Sequence, residues 1–235
     1  MTHASREIQA IPLWINGHAF LTMAPAFCEV REVHSGQTRR RTPLCGAREA
    51  LAAATAARAA LDDWSASSPQ RRAALLAALG EALADLAEHF AGLISEESGK
   101  DSGAALAEVE AALALLRVAG QGSPGTPRAL VAAVVSDQSA PLLGPLRLAV
   151  PLLLGGATLI VKPSPQAPSA AFALAELTAC SDFPAGVYNI LHGDLKVVEA
   201  LCSLATVDGL ACAGDSALSG EVQAIAARHS KPIVG

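Results

Sequence analysis

Five cysteines and six histidines are the side chains of this chain best suited to covalent or metal chemistry, and their spacing is the first thing to weigh. Cys28, Cys45, Cys180, Cys202 and Cys212 contain no Cys-x-x-Cys pair, and an odd number cannot all form disulfides. They read as reduced thiols packed as small apolar side chains, because none has a sequence-local partner that would stabilise a thiolate. His3, His18, His34, His89, His192 and His229 are scattered, and no pair has the spacing that would place two ligands on one helix face. Gly122-Ser123-Pro124-Gly125 lacks the lysine of a phosphate loop. No metal site and no catalytic residue is assigned from these patterns.

The elements that would hold any site change character along the chain. Leu13 to His18 reads as a strand entering a turn, with Phe27 to Val33 as the second strand of that hairpin. Helical periodicity follows from Ala47 to Trp64, with Leu51, Leu61 and Trp64 on one face. Ser68 and Pro69 open a long helix whose inward side carries Leu75, Leu79, Leu83, Leu86 and Phe90, and Gly99 ends it. A further helix spans about Asp101 to Arg117, with Leu106, Val109, Leu113 and Leu116 inward. Gly120 to Pro127 is a linker rich in glycine and proline.

Beyond it, short apolar runs alternate with amphipathic helices. The runs are Leu130 to Val135, Thr158 to Val161, Val187 to Leu191, Gly209 to Ala213 and Pro232 to Val234. Helices are expected at Leu143 to Leu154, Ser169 to Thr178, Leu195 to Leu204 and Ser216 to Arg228. Continuous apolar strands separated by helices imply a parallel sheet buried on both faces. The expected class is α/β: a Rossmann-like doubly wound parallel sheet of about five strands, plus an N-terminal hairpin and helices. The expected division is 1–128 for the hairpin and helices and 129–235 for the nucleotide fold.

Composition narrows the partners. With 51% hydrophobic residues a large core is available, and a net charge of -5 provides no broad positive field for nucleic acid or an anionic membrane. Arg39, Arg40 and Arg41 read as a solvated turn. Leu142 to Val161 has the length of a membrane span, but Arg147, Pro145, Pro151 and Gly155-Gly156 interrupt it. The start, Met-Thr-His-Ala-Ser-Arg-Glu, has no apolar secretory run, so a cytoplasmic protein is expected.

Several motifs fall in order along the chain. Trp14-Ile15-Asn16-Gly17, Glu97-Ser98-Gly99-Lys100, Pro151 through Ser164, Phe183-Pro184-Ala185-Gly186-Val187-Tyr188-Asn189-Ile190, Val207-Asp208 and Ala213-Gly214 together resemble the aldehyde dehydrogenase superfamily. That resemblance implies cofactor-binding roles. Lys162 would donate to the ribose of the adenosine half of NAD(P), with Ser164 in the same turn. Gly193 would line the adenine side. Gly214 would face the pyrophosphate at a helix start, where free amides favour anions.

Other positions depart from the family pattern. Gln138, Ser139 and Ala140 stand where the family has tryptophan and an oxyanion-binding asparagine before Pro-Leu. Pro165 replaces a ribose-binding glutamate, Val198 and Ser219 replace glycines, and Asp215 replaces a serine that meets a cofactor phosphate. An aspartate about 4 Å from a phosphate charge is repelled by about 4 kcal/mol at an effective dielectric near 20. Asp215 reads better as a helix cap. His192, at a strand's carboxyl end beside the adenine side, reads as structural.

The family's Glu-Leu-Gly-Gly general base and its nucleophilic thiol would lie beyond Lys231-Pro232-Ile233-Val234-Gly235. Gly120 to Arg128 is also shorter than the family's connection, which reduces the oligomerisation arm. The expectation is therefore a member truncated to the N-terminal, cofactor-binding half: a non-catalytic subunit, scaffold or regulatory pseudoenzyme with no or weak NAD(P). A protein partner or self-association would cover the face left by the absent catalytic domain. The alternative is the NAD(P)-binding half of a split aldehyde dehydrogenase completed by another chain; a gene remnant without a role is the blandest reading.

Overall fold

The computed structural model describes residues 8–122, 126 and 128–234. Residues 123–125 and 127 of the expected linker, His3 and Gly235 lie outside the described residues.

Asn16 and Gly17 both take positive φ, 56° and 76°, the conformation of a two-residue hairpin turn. The chain therefore reverses at once: β1 (Leu13–Ile15) pairs antiparallel with β2 (His18–Phe20). The run expected to complete that hairpin instead forms β3 (Phe27–Arg31), which pairs with β4 (Thr38–Pro43). The arginine run thus lies in a strand, where Arg40 reaches Glu96 and Glu97 and Arg41 stacks over Phe27.

Four helices follow: α1 (Ala47–Ala66), α2 (Pro69–Asp85), α3 (Ala87–Ser98) and α4 (Ser102–Gly120). The single long helix expected after Ser68 is broken at Leu86, which leaves the helical region at φ -117° and ψ 19°. The break turns Leu86 outward while Phe90 stays buried. Leu51 and Leu106, expected inside, are exposed, and Leu76 takes the place expected of Leu75.

The second part alternates as β5 (Val131–Ser136), α5 (Leu143–Gly155), β6 (Thr158–Lys162), α6 (Ser169–Cys180), β7 (Tyr188–Ile190), α7 (Leu195–Ser203), β8 (Gly209–Ala213) and α8 (Ser216–Arg228). The sheet order is β2-β1-β7-β6-β5-β8. Strands β7, β6, β5 and β8 are parallel, and β1 joins β7 antiparallel through Trp14 and Ile190.

The expected class, a purely parallel sheet of about five strands with a separate hairpin, is thus corrected to a mixed six-stranded sheet plus a two-stranded ribbon. Two physical causes account for it. The early Asn-Gly turn makes the hairpin narrow enough to extend the sheet edge. Pro232 has no N–H to give to a ladder, so the fifth expected strand contributes only the isolated bridge between Leu210 and Ile233.

Alternate residues of β5 enter opposite cores, as strand geometry requires. Ala132 and Val134 pack with Leu146, Leu153, Leu76 and Leu116 on one side, whereas Val131, Ala133 and Val135 pack with Ala50, Ala57, Val197 and Val222 on the other. Both faces of the sheet are therefore covered by helices of this same chain. Asn189, fully buried, ties hairpin to sheet: its Oδ1 accepts from Asn16 N at 3.0 Å, and its Nδ2 donates to Leu159 O at 3.0 Å and Gly186 O at 2.7 Å.

Candidate cofactor site

The strand order reverses between β5 and β8, because the crossover after β5 runs to one side and the crossover from β7 runs back past it. Such a switch leaves a crevice at the carboxyl ends of the strands. Here the crevice is a cleft of about 670 Å³ that includes Lys162, Ser164, Asp137 and Gly214 in its lining. A smaller hollow of about 400 Å³ continues it between α7 and α8, sharing Leu195 and Glu221.

Lys162 ends β6 with only 4% of its surface exposed. Burial pulls its pKa down to about 8, against the attraction of Asp194 and Cys212. Among the described residues its ammonium makes no hydrogen bond and no ion pair. Ser136, 1% exposed at the end of β5, also has no partner for its hydroxyl. Ser136 Oγ is thus a buried hydroxyl facing the cleft without a protein partner, costly unless something in the cleft satisfies it, and the Lys162 ammonium opens onto the same space.

The remaining polar groups of the cleft are engaged. Ser164 donates to Gln138 Oε1 at 3.2 Å and accepts from Gln166 N at 3.3 Å. Asp137 accepts from Ser139 N at 2.8 Å, Ser139 Oγ at 2.5 Å and Asp215 N at 2.8 Å. Burial opposes its ionisation, but these bonds and the charge of Lys100 hold its carboxyl below the usual range. Asp215 caps α8 by accepting from Leu218 N at 2.8 Å, and Asp194 caps α7 by accepting from Lys196 N at 2.8 Å.

Of the four residues singled out in the sequence, Lys162, Ser164 and Gly214 line the same cleft. Gly193 does not line it. Its φ is 149°, and a Cβ there would stand 2.8 Å from Val197 Cγ1, so glycine lets the chain turn tightly over α7. Ser139, whose hydroxyl bonds Asp137, points its donor into the loop itself. His192 is fully buried with Nε2 3.1 Å from Pro12 O, and burial lowers its pKa to about 4, so it stays neutral near pH 7. Sequence reasoning missed Asp137 and Ser136. The run Val131 to Ser136 signals a strand end, but the contact from Asp137 to Asp215 spans 78 residues and leaves no local pattern.

Burial holds four of the thiols in their neutral form. Burial raises the pKa of Cys45 to about 12 and that of Cys202 to about 11, and it also raises Cys28 and Cys212. Among the described residues no group of three or more His, Cys, Asp or Glu is placed to hold a metal ion, and no helix is long and apolar enough to cross a membrane.

The model of the aldehyde dehydrogenase family matches residues 22–129 and 127–234. The chain belongs to the aldehyde dehydrogenase family. Among curated relatives, N-succinylglutamate 5-semialdehyde dehydrogenase of Chromohalobacter salexigens is 30% identical over 92% of this chain and 47% of its own length. Succinate-semialdehyde dehydrogenase [NADP(+)] of Escherichia coli is 28% identical over 93% of this chain and 48% of its own. A solved NADP-dependent enzyme of Escherichia coli superposes with a TM-score of 0.87 at 27% identity, covering 95% of this chain and 50% of that one. A putative methylmalonate-semialdehyde dehydrogenase from Sinorhizobium meliloti complexed with NAD shares the fold at a TM-score of 0.90 and 23% identity, over 97% and 50% of the two chains. This chain therefore spans about half the length of the relatives it matches.

These matches correct the functional expectations drawn from the sequence. The motifs point to the family, as the matches do, whereas a truncated pseudoenzyme, scaffold or regulatory subunit does not follow from where the sequence stops. Dehydrogenases align along 92% or more of the chain in the two curated relatives named. That alignment replaces the scaffold and pseudoenzyme readings with a likeness to dehydrogenases; it reaches 47% and 48% of their own lengths and carries no activity for this chain by itself. The expected partner on an uncovered face is corrected as well, since the chain's own helices cover both faces of the sheet. The NAD(P)-binding type of fold is established by topology and family together.

Proposed function

We propose that this protein acts in NAD(P)-dependent oxidation of aldehydes, and that the cleft at the carboxyl ends of β5, β6 and β8 holds NAD or NADP. The observation that carries the reading is Lys162: a buried ammonium without a hydrogen-bond partner among the described residues, in a cleft at the switch point of the sheet. An ammonium has three donors and no acceptor, which suits ribose hydroxyls. The orphan hydroxyl of Ser136 supports the same reading, because it offers a further donor to the same space.

In this proposal Lys162 donates to the ribose and Ser164 fixes the turn that follows. The backbone of Gly214 lies where the diphosphate enters, and Gly193 shapes the chain beside the adenine end. When bound, NAD(P) supplies the hydride acceptor. The chain's own residues bind and orient it and keep water from its adenosine half. Semialdehydes are the substrates named for the relatives above, and they are the class proposed here. Five free thiols support a reducing compartment, the cytoplasm.

Calorimetric titration with NAD and, separately, NADP tests the cofactor half of the proposal. A micromolar dissociation constant for at least one is the expected result. The absence of heat with both, up to millimolar concentration, would overturn it. Reduction of the cofactor with succinic semialdehyde as substrate tests the reaction.

A further inference from the structure

We propose that Asp137 is a built-in anion: its carboxylate occupies the N-terminal end of α8, where a phosphate of the incoming nucleotide would sit, and it must leave before such a ligand binds. This inference rests on the cofactor reading above and adds a competitor within the protein.

A helix start presents amides that no residue of its own helix satisfies, and these favour a negative group. In this molecule two carboxylates already fill that role at α8. Asp215 accepts from Leu218 N, and Asp137, reaching across from the end of β5, accepts from Asp215 N at 2.8 Å through Oδ2. The other oxygen of Asp137 is held by Ser139 N and Ser139 Oγ. Gly214 admits this approach, since a Cβ there would lie 3.3 Å from Asp137 Oδ2 and 2.7 Å from Leu218 Cδ2.

The same cleft shows that it is built for a ligand and not only for this internal contact. Ser136 is 1% exposed and its hydroxyl, which has no hydrogen-bond partner among the described residues, lines the cleft; Lys162, 4% exposed and making no hydrogen bond among those residues, lines it too. Asp137 therefore closes the phosphate end of a space whose sugar end remains unsatisfied. Its carboxylate joins the loops after β5 and β8, so its departure frees an amide and lets both loops part.

The test compares the full chain with Asp137→Asn and Asp137→Ala, titrating each with inorganic pyrophosphate, NAD and adenosine. Both variants are expected to bind pyrophosphate and NAD about tenfold more tightly, because the like charge is gone from each and alanine also removes the competing acceptor. Adenosine, which carries no phosphate, should bind all three forms equally. Unchanged pyrophosphate affinity in both variants would overturn the proposal. An equal gain for adenosine would do the same, because it would mean general loosening of the cleft. A gain for pyrophosphate with no binding of NAD or adenosine by any form would uphold Asp137's role and sink the cofactor reading instead. Matching thermal unfolding midpoints confirm that the variants fold.

Discussion

Burying an ammonium at the end of β6 without a hydrogen-bonded counter-charge destabilises the folded chain, because the charged form loses water and gains only the pull of Asp194 and Cys212. Methionine has a similar length and no charge. Lys162→Met is therefore expected to raise stability by about 1–3 kcal/mol near neutral pH while weakening NAD(P) binding at least tenfold. The pH dependence identifies the cause. The folded-state pKa is lowered from 10.5 to about 8, so below pH 8 both states hold the proton and the full penalty stands. Between there and 10.5 the folded chain sheds the proton while the unfolded chain keeps it, so wild-type stability climbs with pH. Urea denaturation of both proteins should show the variant's advantage shrinking across that window. A constant advantage would assign the effect to packing.

Among the elements, α5 depends most on residues outside itself. Leu142, its cap position, offers no side-chain acceptor, and the first amides of the helix are met by Glu108 of α4. Glu108 Oε1 accepts from Leu142 N at 2.9 Å and Leu143 N at 3.0 Å, while Oε2 holds Lys100 Nζ. Glu108→Ala leaves two buried amides and a lysine without partners and should cost about 3 kcal/mol, whereas Glu108→Gln retains an acceptor and should cost about 1 kcal/mol. Chemical denaturation of the pair separates loss of the cap from loss of charge. The same elements show which signals the sequence carries. Ser68 with Pro69, and Asp101 with its bond from Ala104 N, mark helix starts by local chemistry and could be read. The break at Leu86 has no glycine or proline to announce it, and β4 is written in arginines, of which Arg40 reaches α3. The parallel strands are legible because apolar runs adjoin turn residues, whereas Lys162, Ser164 and Gly214 are singled out only through motifs that resemble the family. Asp137 and Glu108 are not, because each acts on backbone far away in the chain.

At the scale of the whole molecule, the charge of the cleft opposes the ligand its fold is suited to hold. The chain carries -5 overall, and Asp137, Asp194, Asp215 and Glu221 line the cleft against the single ammonium of Lys162. Caps at α7 and α8 explain why Asp194 and Asp215 are there: each stabilises its own helix, at the expense of a field that repels a diphosphate. Most nucleotide sites lose affinity as salt screens an attraction, and here the sign should reverse. At about 10 mM ionic strength the screening length is about 30 Å and all four carboxylates act on the ligand; at about 0.1 M it is about 10 Å. NAD affinity is expected to rise roughly threefold or more between those conditions, while uncharged adenosine should show no trend. Asp137→Asn should flatten the rise, since it removes the carboxylate bonded to Asp215 N. Affinity that falls with salt in the wild-type chain would mean that Lys162 outweighs the carboxylates, and that the acidic lining does not govern what the cleft admits.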